Sequence, residues 1–253
     1  MVSKSRVTIL VKACPQPSRK HNETVCCAGL NYLGAWQRLY PIRFRQLANE
    51  QAFRRWSVLE FNYSKPINDS RSESCRVHEE SIELVGDVTS KQKRENLVNP
   101  VVVASEIEAA SKGNSLALIR PENVSLTWRK RSDSELAEAR KAFEQQAKQS
   151  SMFDKDLDII EPCPFEFKMQ FSDGDGKTRN KKCSDWETSA AYFNLSRKFD
   201  EQKALEHLQT TYCDEYVRTG LVFALGNMAK RPQTWQLLGI FPTARSGQTM
   251  LEL

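Results

Sequence analysis

The sequence predicts an α+β fold: an antiparallel, β-rich N-terminal part, built as a small sheet or barrel, and a C-terminal strand–helix–helix–strand–strand part. Three observations carry that expectation. Several short β-compatible runs, separated by turn residues, fall within the first ninety positions. A polar helix rich in Ala, Glu, Gln and Lys follows at 132–150. Beyond it, two helical stretches lie between one alternating strand and two apolar ones. The expected division is 1–150, a β-rich part that binds nucleic acid, and 151–253, with 151–164 as the boundary; one continuous domain is the alternative.

Taken in order, 6–13 reads as the first strand and 14–22, with two prolines, as a loop. Residues 24–30 are apolar, 31–34 supply a turn, and 35–40 resume an aromatic-rich strand, which together make a hairpin. Pro41 holds the next residues extended, and 41–53 ends in a short helix with Phe44, Leu47 and Phe53 inward. Residues 56–63 alternate as a strand, 64–66 turn, and 76–85 give another strand. Pro100 must break the helix expected over 89–111. Residues 115–119 and 124–129 read as a strand pair around 120–123. In the second half 165–171 alternates, with Phe165, Phe167, Met169 and Phe171 on one face. A Gly-, Asp- and Lys-rich loop at 172–182, helices at 185–199 and 201–218, a buried-type strand at 221–225, a loop at 226–232 and a final strand at 234–241 complete the chain.

At 253 residues the chain can bury a real core. No apolar run approaches a membrane span, and the N-terminus lacks the apolar core and cleavage site of a leader, so a cytoplasmic protein is expected. The seven cysteines are odd in number and show no paired spacing, and the three histidines are isolated. No disulfide framework, metal site or cofactor is expected from them. Nor is there a phosphate-binding Gly loop or a Ser-His-Asp arrangement, which argues against NTPases, dinucleotide oxidoreductases, zinc deaminases and the common hydrolases.

Charge is unevenly spread. Residues 1–60 carry Lys4, Arg6, Lys12, Arg19, Lys20, Arg38, Arg43, Arg45, Arg54 and Arg55 against Glu23, Glu50 and Glu60, while the whole chain carries only +5. A concentrated basic segment suits a nucleic acid, although solubility alone also explains it. Within it Arg38, Arg43 and Arg45 interleave with Leu39, Tyr40, Ile42 and Phe44. Guanidinium forks among aromatic rings fit a groove that grips phosphates and stacks bases; a half-buried strand with a solvated basic face has the same pattern.

Three further clusters bear chemistry. Asp69, Arg71 and Glu73 share one face of an extended segment, either holding a carboxylate in place or forming an ordinary surface ion pair. Asp185 and Glu187 follow a cationic run; they serve either a site or simply a helix start, since Ser184 and Glu187 have capping-box spacing. Asn227, Lys230, Arg231 and Trp235 lie on what reads as a ligand-facing loop or a wide structural turn, where Asn227 offers both donor and acceptor.

The segments TVCCAGL, GAWQRLYPIRFR, DSRSES, DWE and FALGNMAKRPQTWQLLGIF span most of the chain. Together they resemble a bacterial family with G-x-W-x-R-L-Y-P near its start and F-x-L-G-N…P-x-x-W…G-[LI]-F near its end, associated with anti-phage DNA glycosylases that remove glucosylated hydroxymethylcytosine. Relatives often carry Cys and His before DWE; residues 172–182 here have neither. The resemblance implies hydrolysis of an N-glycosidic bond in phage DNA after base flipping; no cofactor, no membrane and no obligate protein partner are expected. It would assign the carboxylate to Asp185 or Glu73, with Glu187 in reserve, and base contact to Asn227. Trp36, Tyr40 and Trp235 would stack or fill the gap in the duplex. Arg38, Arg43, Arg45, Arg71, Lys230 and Arg231 would hold the backbone. A non-catalytic reader of modified DNA or RNA is the competing class.

Overall fold

Strand β1 (Ser3–Lys12) serves two cores at once: its consecutive residues Val7 to Val11 are all buried. A strand covered on both faces reads as an unbroken apolar run. Val7 and Ile9 enter one core; Leu10 and Val11, after a bulge in the pairing, enter another. The computed structural model describes residues 2–14, 16–18, 22–44, 47–151 and 160–245.

After β1 come a small ribbon, β2 (Gln16–Ser18) and β3 (Asn22–Thr24), then β4 (Cys27–Asn31), β5 (Trp36–Tyr40), β6 (Ser57–Ser64), β7 (Ser74–Val77) and β8 (Glu83–Asp87). Strands pair in the order β1–β4–β5–β7–β6, and β6 returns to β1, closing a five-stranded barrel with β8 appended to β6. Only the β5–β7 pairing within it is parallel. Its interior holds Val7, Ile9, Leu39, Leu59, Phe61 and Val77, each contributing about 1.5–3 kcal/mol by leaving water.

Helix α1 (Lys91–Val98) ends where Pro100 demands, in a 3-10 turn, and Ser105 caps the short α2 (Glu106–Ser111). There follow β9 (Leu116–Ile119), β10 (Glu122–Lys130), α3 (Asp133–Ser151), β11 (Phe165–Ser172), β12 (Thr178–Lys182), α4 (Trp186–Ser196), α5 (Glu201–Thr210), a π turn, α6 (Tyr216–Thr219), β13 (Leu221–Met228) and β14 (Arg231–Pro242). The sheet β14–β13–β9 lies in the middle of the molecule. One face packs through Leu116, Leu118, Val222, Ala224 and Phe241 on β1 and β4; the other meets Phe167, Met169, Phe171, Tyr192 and Leu205. The sheet β10–β11–β12 covers that second core. No helix among the described residues is long and apolar enough to cross a membrane.

The α+β expectation, with a barrel first, holds. Several elements differ. The stretch 14–22 contains β2 and leads into β3 rather than forming a loop. The strand expected at 76–85 is two, β7 and β8, separated by a 3-10 turn. Strands β9 and β10 do not pair with each other: β9 joins β13 and β10 joins β11. Pro121, which has no N–H to give a ladder, stands between them, and the fully buried LALI run of β9 belongs inside a sandwich. The loop expected at 172–182 ends in β12, whose exposed Thr-Arg-Asn-Lys-Lys has no apolar face to announce it. The loop expected at 226–232 is instead a hairpin whose strands continue to Met228 and from Arg231. Asp185, not Ser184, caps α4, accepting from the Glu187 amide at 3.2 Å.

Candidate functional site

Alternation along β5 sends Gln37 and Leu39 to buried positions, while Trp36, Arg38 and Tyr40 lie less covered on the opposite face. Arg38 therefore leaves the barrel and reaches the central sheet. Its Nε donates to Ser115 Oγ at 2.8 Å, and its Nη2 donates to the carbonyls of Ser115 at 2.6 Å and Asn227 at 3.2 Å. Gly226 leaves room for it: a Cβ there would come within 3.1 Å of Arg38 Nη2 and 2.5 Å of Leu238 Cδ1. Burial, with the nearby Arg71 charge, lowers the Arg38 pKa to about 10, so it stays charged at neutral pH.

The loop before β7 brings the carboxylates. Asp69 and Arg71 form a forked pair (Nε–Oδ1 2.9 Å, Nη2–Oδ2 2.6 Å), Ser74 Oγ donates to Asp69 Oδ2 at 2.7 Å, and Arg71 Nη1 donates to the Asn227 carbonyl at 3.3 Å. Burial opposes ionisation of Asp69, but the hydrogen bonds from Arg71 and Ser74 outweigh it and bring its pKa to about 2. Glu73, 6 % exposed, accepts from the Ser115 amide at 2.6 Å through Oε1 and from Ser72 Oγ at 3.2 Å through Oε2. Burial pushes its pKa up, yet the amides of Glu73 and Ser115, together with Arg38, hold it below the usual carboxylate range. Asn227 donates through Nδ2 to the Pro232 carbonyl at 3.1 Å; its buried Oδ1 has no partner among the described residues.

Beside this network lies a cavity of about 420 Å³, lined among others by Trp36, Glu73, Val101, Lys112, Asn114 and Leu116. That is within the ~300–1,000 Å³ of ligand pockets. An aromatic wall, one ionised carboxylate, a lysine and an amide face a common space. The chemistry available is binding of a planar polar group, with a carboxylate to stabilise a cation or accept a proton from water.

The structure thus gathers Trp36, Arg38, Arg71, Glu73 and the main chain of Asn227. Lys230 and Arg231 lie just beyond, exposed at the β13–β14 turn, with no ion pair among the described residues. It separates the others. Tyr40 is at the far end of β5, and Arg43 is paired with Glu79 at 2.7 Å. Trp235, 7 % exposed, is part of the C-terminal core and presents no stacking surface. Arg45 lies outside the described residues. Asp185 is 1 % exposed and holds three parts together: Arg55 Nη2 donates to it at 2.7 Å, the Ile240 amide at 3.0 Å, and it caps α4. Burial raises its pKa against the pull of Arg55. Glu187 sits 3.7 Å from Lys12.

Sequence reasoning missed Ser115, which binds both Arg38 and Glu73, and Lys112 and Asn114 beside it. No motif marks them; they follow an unremarkable short helix. A larger cavity, about 930 Å³, is lined by Cys14, Cys163, Cys183, Trp186, Ser189 and others. Burial pushes the Cys14 and Cys183 thiols up to about 12, so they are protonated at neutral pH. Among the described residues no three His, Cys, Asp or Glu side chains are grouped to hold a metal ion.

No curated protein and no solved structure matches the chain. Residues 3–100 match a family described as a domain of unknown function (DUF8758), and residues 102–252 match another (DUF8757). The two matches meet within the 3-10 turn that follows α1. The cavity spans both: Trp36 and Glu73 come from the first, and Lys112, Asn114 and Leu116 from the second. With more than half of its residues matched by the second, this chain belongs to the family described as Domain of unknown function (DUF8757).

Proposed function

We propose that this protein is a DNA glycosylase of the bacterial cytoplasm that excises a modified base, glucosylated hydroxymethylcytosine, from phage DNA and leaves an abasic site. The observation that carries the reading is the position of Glu73: a carboxylate held ionised at the wall of a ligand-sized cavity, beside Trp36 and in front of Arg38 and Arg71. The choice of base follows the sequence resemblance; the cavity and its carboxylate support the reaction class.

Glycosidic cleavage proceeds through a sugar cation, which a fixed carboxylate stabilises. Water attacks C1′, the C1′–N bond breaks with its electron pair leaving on the base, and Glu73 accepts the proton lost by the water. The base takes a proton from solvent, and the products are free base and a C1′ hydroxyl. Because Glu73 is held below the usual carboxylate range, it serves as base and cation stabiliser, not as acid. Trp36 offers the flipped base a flat wall, and Lys112 and Asn114 offer donors to polar substituents. Arg71, Lys230 and Arg231 face the phosphates.

The test is incubation with DNA bearing the glucosylated base beside unmodified DNA, reading alkali-labile sites and released base by mass spectrometry. Glu73→Gln keeps an acceptor for the Ser115 amide, so it should fold and bind while base release falls about 10²–10⁴-fold. Binding without release by the parent protein would make this a reader of modified DNA instead. Undiminished release by Glu73→Gln would remove Glu73 from the reaction.

A further inference from the structure

The most exposed pair of neighbouring apolar side chains on the described surface is at the turn between β4 and β5: Tyr32 is 83 % and Leu33 74 % exposed. Single exposed apolar residues need no explanation. These two differ in being adjacent, large and rigidly presented. Asn31 Oδ1 accepts from the amides of Leu33 at 3.0 Å and Ala35 at 2.9 Å. The Asn31 carbonyl takes the Gly34 amide at 3.0 Å, and Gly34 closes the turn at φ +76°. The next residues, Gly34, Ala35 and Trp36, line the cavity that holds Glu73. An aromatic and an aliphatic side chain therefore stand on a stapled tip at the rim of the proposed base pocket.

We propose that this tip is a wedge: Tyr32 and Leu33 enter the base stack of a DNA duplex and occupy the space vacated by the nucleotide that turns into the cavity. The inference rests on the reading of the cavity as a base pocket. Inserted apolar side chains are a general means of opening a step between stacked bases. An extruded nucleotide leaves a gap that a ring and a branched side chain can fill. The exposed cations Lys230 and Arg231, at the turn following the Asn227 carbonyl that Arg38 and Arg71 hold, favour a polyanionic partner over an apolar protein surface. The wedge role thus passes from Trp36, which walls the cavity, from Tyr40 at the far end of β5 and from buried Trp235 to two residues that the motifs do not single out.

The experiment compares the parent protein with the double variant Tyr32→Ala, Leu33→Ala on oligonucleotides carrying the modified cytosine, either paired in a duplex or single-stranded, with 2-aminopurine beside the target. The variant should lose base release from the duplex by about tenfold to a hundredfold while retaining it on the single strand, where no stack is opened. The parent's 2-aminopurine fluorescence should rise on duplex binding and the variant's should not. Equal loss on both substrates, or a fluorescence rise retained by the variant, overturns the wedge. So does a change in the protein's mass in solution without any effect on DNA, which would make the tip a contact between protein copies. If the parent releases no base from either substrate, the glycosylase reading fails, and the fluorescence alone decides: a rise lost in the variant upholds a wedge in a non-catalytic reader, and no rise in the parent overturns it.

Discussion

Arg38 is the residue whose removal should do most damage to the proposed site. Its guanidinium runs from the barrel to Ser115 and Asn227, across the junction between the two matched segments, in three hydrogen bonds. Replacing it with Met keeps comparable bulk and removes every donor. The Ser115 carbonyl then keeps only the Asn227 amide at 3.0 Å among the described residues, the Asn227 carbonyl loses one of its two guanidinium donors, and Glu73 loses a nearby positive charge. A hydrogen bond to a charged group is worth about 1.5–3 kcal/mol. The three share one guanidinium and are not additive, so the expected loss is that of stripping one partner from a buried ionic network, about 3–5 kcal/mol. For a chain of this size that lowers the thermal midpoint by roughly 10 °C. Urea denaturation and thermal melts of Arg38→Met would measure it. Arg38→Lys retains charge without the fork and should recover less than half of the loss. Arg54→Met is the control, since Arg54 is 73 % exposed at the surface beside Asp87 and its loss should leave the midpoint near the parent's. A loss below about 1 kcal/mol for Arg38→Met would refute the view that this side chain braces the junction, and with it the preorganisation of Glu73.

Acid should act through the same loop. Asp69 and Glu73 both have folded pKa values below their ordinary ones, so their contribution to stability is complete above about pH 4.5 and disappears as pH falls through the folded values, about 2 for Asp69. Denaturation midpoints measured from pH 7 to 2 should fall in that acid window, and Asp69→Asn should flatten part of the fall; a parent-like profile in Asp69→Asn would show that the Asp69–Arg71 pair adds nothing. Asp185→Asn leaves the charge of Arg55 uncompensated where the two side chains are 1 % and 7 % exposed, and should cost about 3–5 kcal/mol. Because Asp185 lies away from the cavity, base release per folded molecule should persist; loss of release at unchanged stability would transfer the catalytic role from Glu73 to Asp185.

The strands that alternate were legible, and so were the helix that Pro100 interrupts and the aromatic face of β11, because local patterning and burial agree there. The partners of those strands were not. Strand β9 reads like one arm of a hairpin, but its neighbour in space is β13, a hundred residues on, and periodicity says nothing about who pairs with whom. Strand β12 was invisible for another reason: its exposed Thr-Arg-Asn-Lys-Lys owes its conformation to the edge of β11 and not to its own side chains.

The site divides along the same line. Charge and aromatic spacing pointed to Trp36, Arg38, Arg71 and Glu73, which lie within two short sequence stretches and meet because β5 and β7 are parallel neighbours, with Arg38 opposite Ser74. Asp185 and Trp235 carried the same chemical promise in the sequence, yet both are consumed by the core. A carboxylate before a helix and a tryptophan after a basic turn look alike whether they face solvent, a ligand or the interior; only the packing of the central sheet decides. Ser115 is the converse case. A serine after Lys-Gly-Asn has no signature, but the backbone amide and carbonyl it contributes are what fix Glu73 and Arg38. Main-chain groups carry no residue identity, so a site completed by them is half hidden from any reading of side chains. That is also why the junction of the two matched segments matters: the side chains of one are positioned by the backbone of the other, and neither segment holds the arrangement alone.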